Sequence, residues 1–405
     1  MHPIDTGDTA WLLASAALVM FMTPGLAFFY GGLVRAKNVV GTIMQSFIAL
    51  ALVTVLWVLV GYTLAFGPDH AGLIGGLDFL GLRHVGADPS AYAPTVPASA
   101  FMVFQLMFAI ITPALIAGAF AERMKFSGYL MFIGIWSVVV YAPVTHWEWG
   151  GGFLGASGVG ALDFAGGAVV HANAGAAALA TAIYLGKRRG HGSEDMSPHN
   201  VPFVILGAGI LWFGWFGFNA GSALGANALA SSAFVNTQLG AAAAVFGWII
   251  PEWIRGGRAT TIGAATGAVA GLATITPAAG YVQPLAALAI GLIAGFVCFL
   301  AVGVKDRFGY DDSLDVVGVH MVGGVVGVVL TGVFASLVIN VAGAAASFAQ
   351  VGKQLVLASV TVGFSFIATM GILKFTDVTI GLRLTEEHEE RGMDASQHGE
   401  IGYRL

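Results

Sequence analysis

About eleven times along the chain an apolar run of roughly twenty residues passes almost without charge, which is the length an α-helix needs to cross a hydrocarbon core of about 30 Å. The runs are continuous and do not alternate at period two, so the backbone is satisfied inside helices and not in a β-barrel. With 57% hydrophobic and 10% charged residues among 405, there is too little polar surface to clothe a soluble globule of this size. The expected class is an all-α integral membrane protein. Its spans read as 9–33, 39–66, 98–120, 127–145, 164–186, 200–222, 236–254, 260–278, 283–303, 316–341 and 350–375. Residues 376–405 form a polar tail, and the loop 67–97, rich in Gly, Pro and Asp, is expected at the surface.

An odd number of spans puts the ends on opposite sides. With the N-terminus outside, only Arg83 and Lys353 of the 17 Lys and Arg lie outside, and the rest, from Arg35 and Lys37 to Arg391 and Arg404, collect at the cytoplasmic face. Basic residues favour that face, so this orientation is the expected one, with a cytoplasmic tail. The first run is too long for a signal-peptide core, has Asp5 and Asp8 on its flank and holds Pro24-Gly25, so it reads as a span. A single Cys298 excludes an intramolecular disulfide and a multi-cysteine metal site, and no basic stripe suggests nucleic acid. The 58 glycines suggest close helix approach, as in Gly323-Gly324-Val-Val-Gly327.

The two halves of the chain repeat one expensive feature. Asp163 is followed eight residues later by His171, and Asp312 eight residues later by His320, each His inside an apolar run. Five spans per half make the halves enter the membrane with opposite sense, so 9–186 and 200–341 read as inverted repeats, with 350–375 as a last helix. Each Asp then caps its helix from its own face, a structural role. At about 1.5 Å per residue each His lies roughly 12 Å deep, so the imidazoles are expected to meet near the midplane. Ionisable side chains are costly there, which makes the pair a pathway candidate.

Aromatic residues gather near the outer ends of several spans. Phe104 and Phe108 share a helix face, Trp149 ends the Trp147-Glu148-Trp149-Gly150 turn, and Trp215, Phe216 and Phe218 lead into Asn219-Ala-Gly-Ser222. Trp147 reads as an interfacial belt residue, and Glu148 as a solvated one, with a carboxylate that raises the local cation concentration at the vestibule as the alternative. Two π faces and a hydroxyl acceptor suit a small cation that also donates hydrogen bonds, and not one that needs an oxygen cage. Beyond Phe108 and Phe218 the apolar path opposes an intact ion, so charge is expected to be shed before the midplane.

Several stretches then resemble a known family: Met22-Thr-Pro-Gly-Leu-Ala-Phe-Phe-Tyr-Gly-Gly32, Ala121-Glu-Arg-Met-Lys125, Leu162-Asp-Phe-Ala-Gly-Gly167 with His171, Trp212-Phe-Gly-Trp-Phe-Gly-Phe-Asn-Ala-Gly-Ser222, and Asp311-Asp-Ser-Leu-Asp315 with His320. They are similar to the ammonium transporters of the Amt/Mep/Rh family, its bacterial Amt branch in particular. The resemblance implies a homotrimer without cofactor, an external ammonium site of Phe104, Trp149 and Ser222, a gate of Phe108 and Phe218, and pore histidines His171 and His320. Asp163 would hold the site's architecture, and the tail, with Gly392-Met-Asp394 and His398-Gly-Glu400, would be where a P-II regulatory protein docks.

The leading functional reading is therefore ammonium recruitment, deprotonation and conduction of ammonia, with methylammonium as an analogue. An ammonium sensor and a Rh-like neutral gas channel are the alternatives. A metal-dependent enzyme lacks the i, i+4 or HExxH-like ligand spacing such a site needs, so no enzyme is expected.

Overall fold

The computed structural model describes residues 4–403, so Arg404 lies outside the described residues. Among the described residues, ten helices are long and apolar enough to cross a membrane: Thr6–Leu33, Ala36–Phe66, Ala98–Phe120, Phe126–Trp149, Gly167–Leu185, Val201–Gly221, Ala228–Gly256, Pro284–Phe308, Val317–Phe334 and Phe348–Ile380. A shorter apolar helix, Thr261–Ile275, sits between the seventh and eighth of these.

Local chemistry sets where the helices begin. Asp5, Asn200, Asn227, Thr260 and Ser347 each turn a side-chain oxygen onto a backbone N–H of the first turn. The Asn227 cap starts its helix at Ala228, eight residues before the expected boundary at 236. The run expected to continue to 341 stops at Phe334, because the Ser336 N–H donates to the Tyr281 carbonyl at 2.8 Å and the chain leaves the helix. The last helix continues to Ile380, five residues past the expected end at 375. The 67–97 loop carries two small antiparallel hairpins, Asp69–His70 with Ile74–Gly75 and Pro89–Ser90 with Ala93–Pro97.

Burial sorts the helices into a centre and a rim. The most apolar windows of Ala98–Phe120 and Gly167–Leu185 are each 83% buried, against 28% for Ala36–Phe66, so the first two are central and the third faces outward. Thr6–Leu33 packs along Val201–Gly221 at backbone distance, with Gly207 of one against Phe29 of the other. Small residues at such a contact supply the packing that association in lipid depends on, since lipid offers no hydrophobic drive.

At the basic face four inter-helix loops are locked by buried ion pairs. Glu122 accepts from the Arg35 N–H and Nε at 2.8 and 3.0 Å, and Arg188 clamps Asp311 with its backbone N–H, Nε and Nη2 at 2.8 to 3.0 Å. Burial alone would raise both carboxyls. The guanidinium groups overcome it, holding Glu122 below the usual range and Asp311 at about 2. The tail folds back on this face: Asp394 accepts from the Val40 and Gly41 N–H groups, and Arg383 donates to the Leu185 and Lys187 carbonyls.

Candidate functional site

Each histidine stands on a helix whose first turn is wound in the π form, Gly167–Ala172 for His171 and Val317–Val322 for His320. Such widened turns carry a strain that recurs at functional positions. Asp163 gathers the start of the first: its Oδ1 accepts from the Gly166 and Gly167 N–H groups at 2.9 and 2.6 Å, its Oδ2 from Ala168 and Val169 at 2.8 and 3.0 Å. Burial pushes this carboxyl up while the four N–H groups pull against it. Gly166, at φ 113°, makes the reversal that lets one carboxylate reach all four. Asp312 does the corresponding job with one bond, Oδ2 accepting from Val317 N–H at 2.7 Å.

The two turns cross where a glycine follows each histidine by one helical turn. A Cβ on Gly175 would strike the Met321 backbone, and one on Gly324 would lie 2.6 Å from the Gly167 carbonyl and 3.0 Å from His171 Cβ. With both positions bare, the rings meet: His171 Nδ1 lies 3.2 Å from His320 Nδ1, with ring planes 18° apart. One Nδ1 carries a proton and the other accepts it, so one Nε2 is left a donor and the other a lone pair. Trp215 stacks on His171 with centroids 5.4 Å apart, and is itself held by Nε1–H donation to Thr276 Oγ1 at 2.8 Å.

Three cavities follow one another through shared or touching side chains around this crossing. On the side opposite the basic loops, one of about 250 Å³ is lined by Phe108, Glu148, Trp149, Ser222 and Gln105 among others. Phe108 and Phe218 close its floor, ring centroids 4.1 Å apart. Beyond them a space of about 10 Å³, room for about one water-sized molecule, is walled by Phe218, His171, His320 and aliphatic side chains. Phe29 and His320 are shared with a third cavity of about 200 Å³ that reaches Ser313 and Asp315 on the basic side.

The structure brings Trp149 and Ser222 together on the first cavity. Trp149 is aimed by Nε1–H donation to the Asp163 carbonyl at 2.8 Å, and the Ser222 hydroxyl donates to the Phe218 carbonyl at 2.8 Å, leaving its lone pairs free. Phe104 is not on this wall: it is fully buried and meets Phe108 edge-on at 5.0 Å, backing the cavity. Two readings of neighbouring residues are corrected. Trp147 is packed against Phe153 and Phe364 with its Nε1–H donating to the Leu73 carbonyl, so it is no belt residue. Glu148 is 8% exposed and not solvated.

Comparison with known proteins follows the same lines. The model of the Ammonium Transporter Family matches residues 10–403. The chain belongs to the ammonium transporter family. An ammonium transporter of Bacillus subtilis (strain 168) is 50% identical over 99% of this chain and 99% of its own. The crystal structure of Saccharomyces cerevisiae Mep2 superposes with a TM-score of 0.91 at 36% identity, covering 99% of this chain and 92% of that one. A structure described as a sensor Amt protein gives 0.89 at 30%, over 97% and 98%. Within this family framework, sequence reasoning gave no role to Trp215, Gln105 or Gly175, and placed Gly324 only in a stretch of close helix approach. The signal for the glycines was present as a shared His-x-x-x-Gly spacing, and for Trp215 as its place one turn before Phe218.

Proposed function

We propose that this protein is a membrane transporter that recruits ammonium at Trp149 and Ser222, with Phe104 behind the site, and passes it as ammonia between Phe108 and Phe218 and along His171 and His320. The observation that carries the reading is the imidazole pair, 3.2 Å apart, on the wall of a space otherwise apolar and only about 10 Å³ in volume. A bare cation in that space has no oxygen cage and little water, a cost of several kcal/mol, whereas a neutral ammonia keeps a donor and an acceptor on the two Nε2 atoms. The proton is left at the outer face or handed along the coupled rings.

Eleven spans in two inverted five-helix repeats plus a last helix, an external N-terminus, a plasma-membrane location and a homotrimer with one pore per subunit complete the proposal. Asp163 and Asp312 are structural at the two ends of the pore, and no cofactor takes part. The folded tail on the basic face is the surface offered to a P-II regulatory protein. The similarity to a sensor Amt protein favours sensing as the second reading.

Labelled methylammonium uptake into proteoliposomes, with charge recorded on a solid-supported membrane, tests it. Uptake is expected in the wild type and its charge movement is expected to vanish in the His171→Ala, His320→Ala double variant. Absence of uptake leaves the sensor; uptake without current in either protein points to a neutral gas channel; equal current in both removes the relay.

A further inference from the structure

Glu148 is a carboxylate on the cavity proposed to receive the cation, and among the described residues no basic group pairs with it. It ends the helix Phe126–Trp149, is 8% exposed, and lines the same cavity as Trp149 and Ser222. Its buried Oε2 has no hydrogen-bond partner, and neither has Oε1 of Gln105 on the same wall. The ionisable groups near it are Asp163, before the Gly167–Leu185 helix, and Tyr281, beyond Thr261–Ile275; both are acids. On its own helix His146 is already engaged, with Nδ1 at the Ala65 carbonyl and Nε2 at Asp69.

A buried acceptor left unpaired costs roughly 1–3 kcal/mol, and more when charged, so two on one cavity wall are a standing demand for a donor. The cavity offers an aromatic face, a serine oxygen with free lone pairs, an amide oxygen and a carboxylate. A small cation that carries only donors matches that set, because ammonium accepts nothing and donates four hydrogen bonds. We infer that Glu148 is a binding residue of the outer cavity, the anionic partner that holds ammonium or methylammonium against Trp149 before it loses its charge. The inference rests on the transport reading above and adds to it a charged group that an aromatic site does not need.

Two consequences distinguish a charge partner from a packing residue. Removing the charge in Glu148→Gln keeps size and polarity, so the loss falls mainly on KM for methylammonium, expected to rise about tenfold. Glu148→Asp, which keeps the charge, restores most of the affinity. Because only the ionised form attracts the cation, KM of the wild type rises as the outer pH falls through the carboxyl's titration, while KM of Glu148→Gln stays flat over that range; Asp163 is present in both proteins and cancels in the comparison.

The experiment is methylammonium uptake into proteoliposomes at several outer pH values, paired with calorimetric titration of methylammonium into the detergent-solubilised full chain. KM and pH profile in Glu148→Gln within twofold of the wild type overturn the inference. If the wild type shows no uptake, the transport reading fails, and the calorimetric affinities of wild type and Glu148→Gln still decide the role of Glu148: a weakened variant supports it, equal affinities overturn it. Should Glu148→Gln fail to fold, the wild type's own KM against pH decides, a flat profile being the contrary result.

Discussion

Asp311 and Asp312 are neighbours in the chain, both buried, and meet opposite surroundings: Arg188 closes on the first with three N–H donors, while the second receives one N–H, from Val317, and leaves Oδ1 unpaired. Burial works against both charges. Arg188 overcomes it at Asp311, held at about 2, whereas at Asp312 burial and the nearby Asp315 win and the carboxyl rises to about 6.

The pair gives stability a defined pH profile. Asp311, depressed on folding, contributes fully above about pH 4 and loses its contribution as pH falls towards 2. Asp312, raised on folding, has the opposite sign: its cost is absent below about pH 4 and complete above about pH 6. Each is worth about 2–3 kcal/mol. The unfolding midpoint in detergent is expected to rise from pH 6.5 to about 4 and fall below it, and the rise to shrink in Asp312→Asn.

Arg188 joins two buried carboxylates, Asp311 and, at 3.4 Å, Glu122. Replacing it with Gln leaves Asp311 without its main counter-charge and Glu122 with Arg35 alone, a loss on the order of 3 kcal/mol. The thermal midpoint of Arg188→Gln should drop by several degrees; a midpoint unchanged at neutral pH would show that the network is not holding the loops.

Asp163 satisfies four N–H groups and its carbonyl aims Trp149, so Asp163→Ala removes an acceptor from a buried helix start. The expected loss is about 2–4 kcal/mol together with uptake. Asp163→Asn, keeping one oxygen, should fall between Ala and wild type in both midpoint and methylammonium uptake.

Gly175 and Gly324 allow the two π-wound turns to touch. Gly175→Ala places a methyl against the Met321 backbone, which cannot swing away as a side-chain tip would, and so spreads the histidines. Uptake should fall at least about tenfold, since a displacement near 1 Å at a site can cost about a hundredfold. Gly363→Ala, at a position with open space around it, is the matched control and should leave uptake intact.

Phe108 and Phe218 separate the outer cavity from the histidines through one ring contact. Phe218→Ala removes that contact and the ring beside His171, merging the first two cavities. Potassium flux, expected to be negligible in the wild type, should become measurable in Phe218→Ala proteoliposomes while Phe218→Leu stays tight.

Much of this was legible in the chain itself. Apolar runs of membrane-spanning length, with charges confined to the loops, specify helices in a bilayer, because no other open structure satisfies the backbone there. The eight-residue interval from Asp163 to His171 and from Asp312 to His320 sets a depth, since helical rise is constant. What periodicity leaves undetermined is which helices cross and which side chains lose their water. Glu148 reads as solvated from its charge and Trp147 as a belt residue from its type, yet both are buried, Trp147 by the 67–97 loop, the 150–166 segment and the last helix. Phe104 and Phe108 share a face in the chain, but the approach of Val201–Gly221 gives only Phe108 to the cavity. Burial is a property of neighbours distant in sequence, and here tertiary packing decides whether a carboxylate is solvated or left without a partner at a cavity wall.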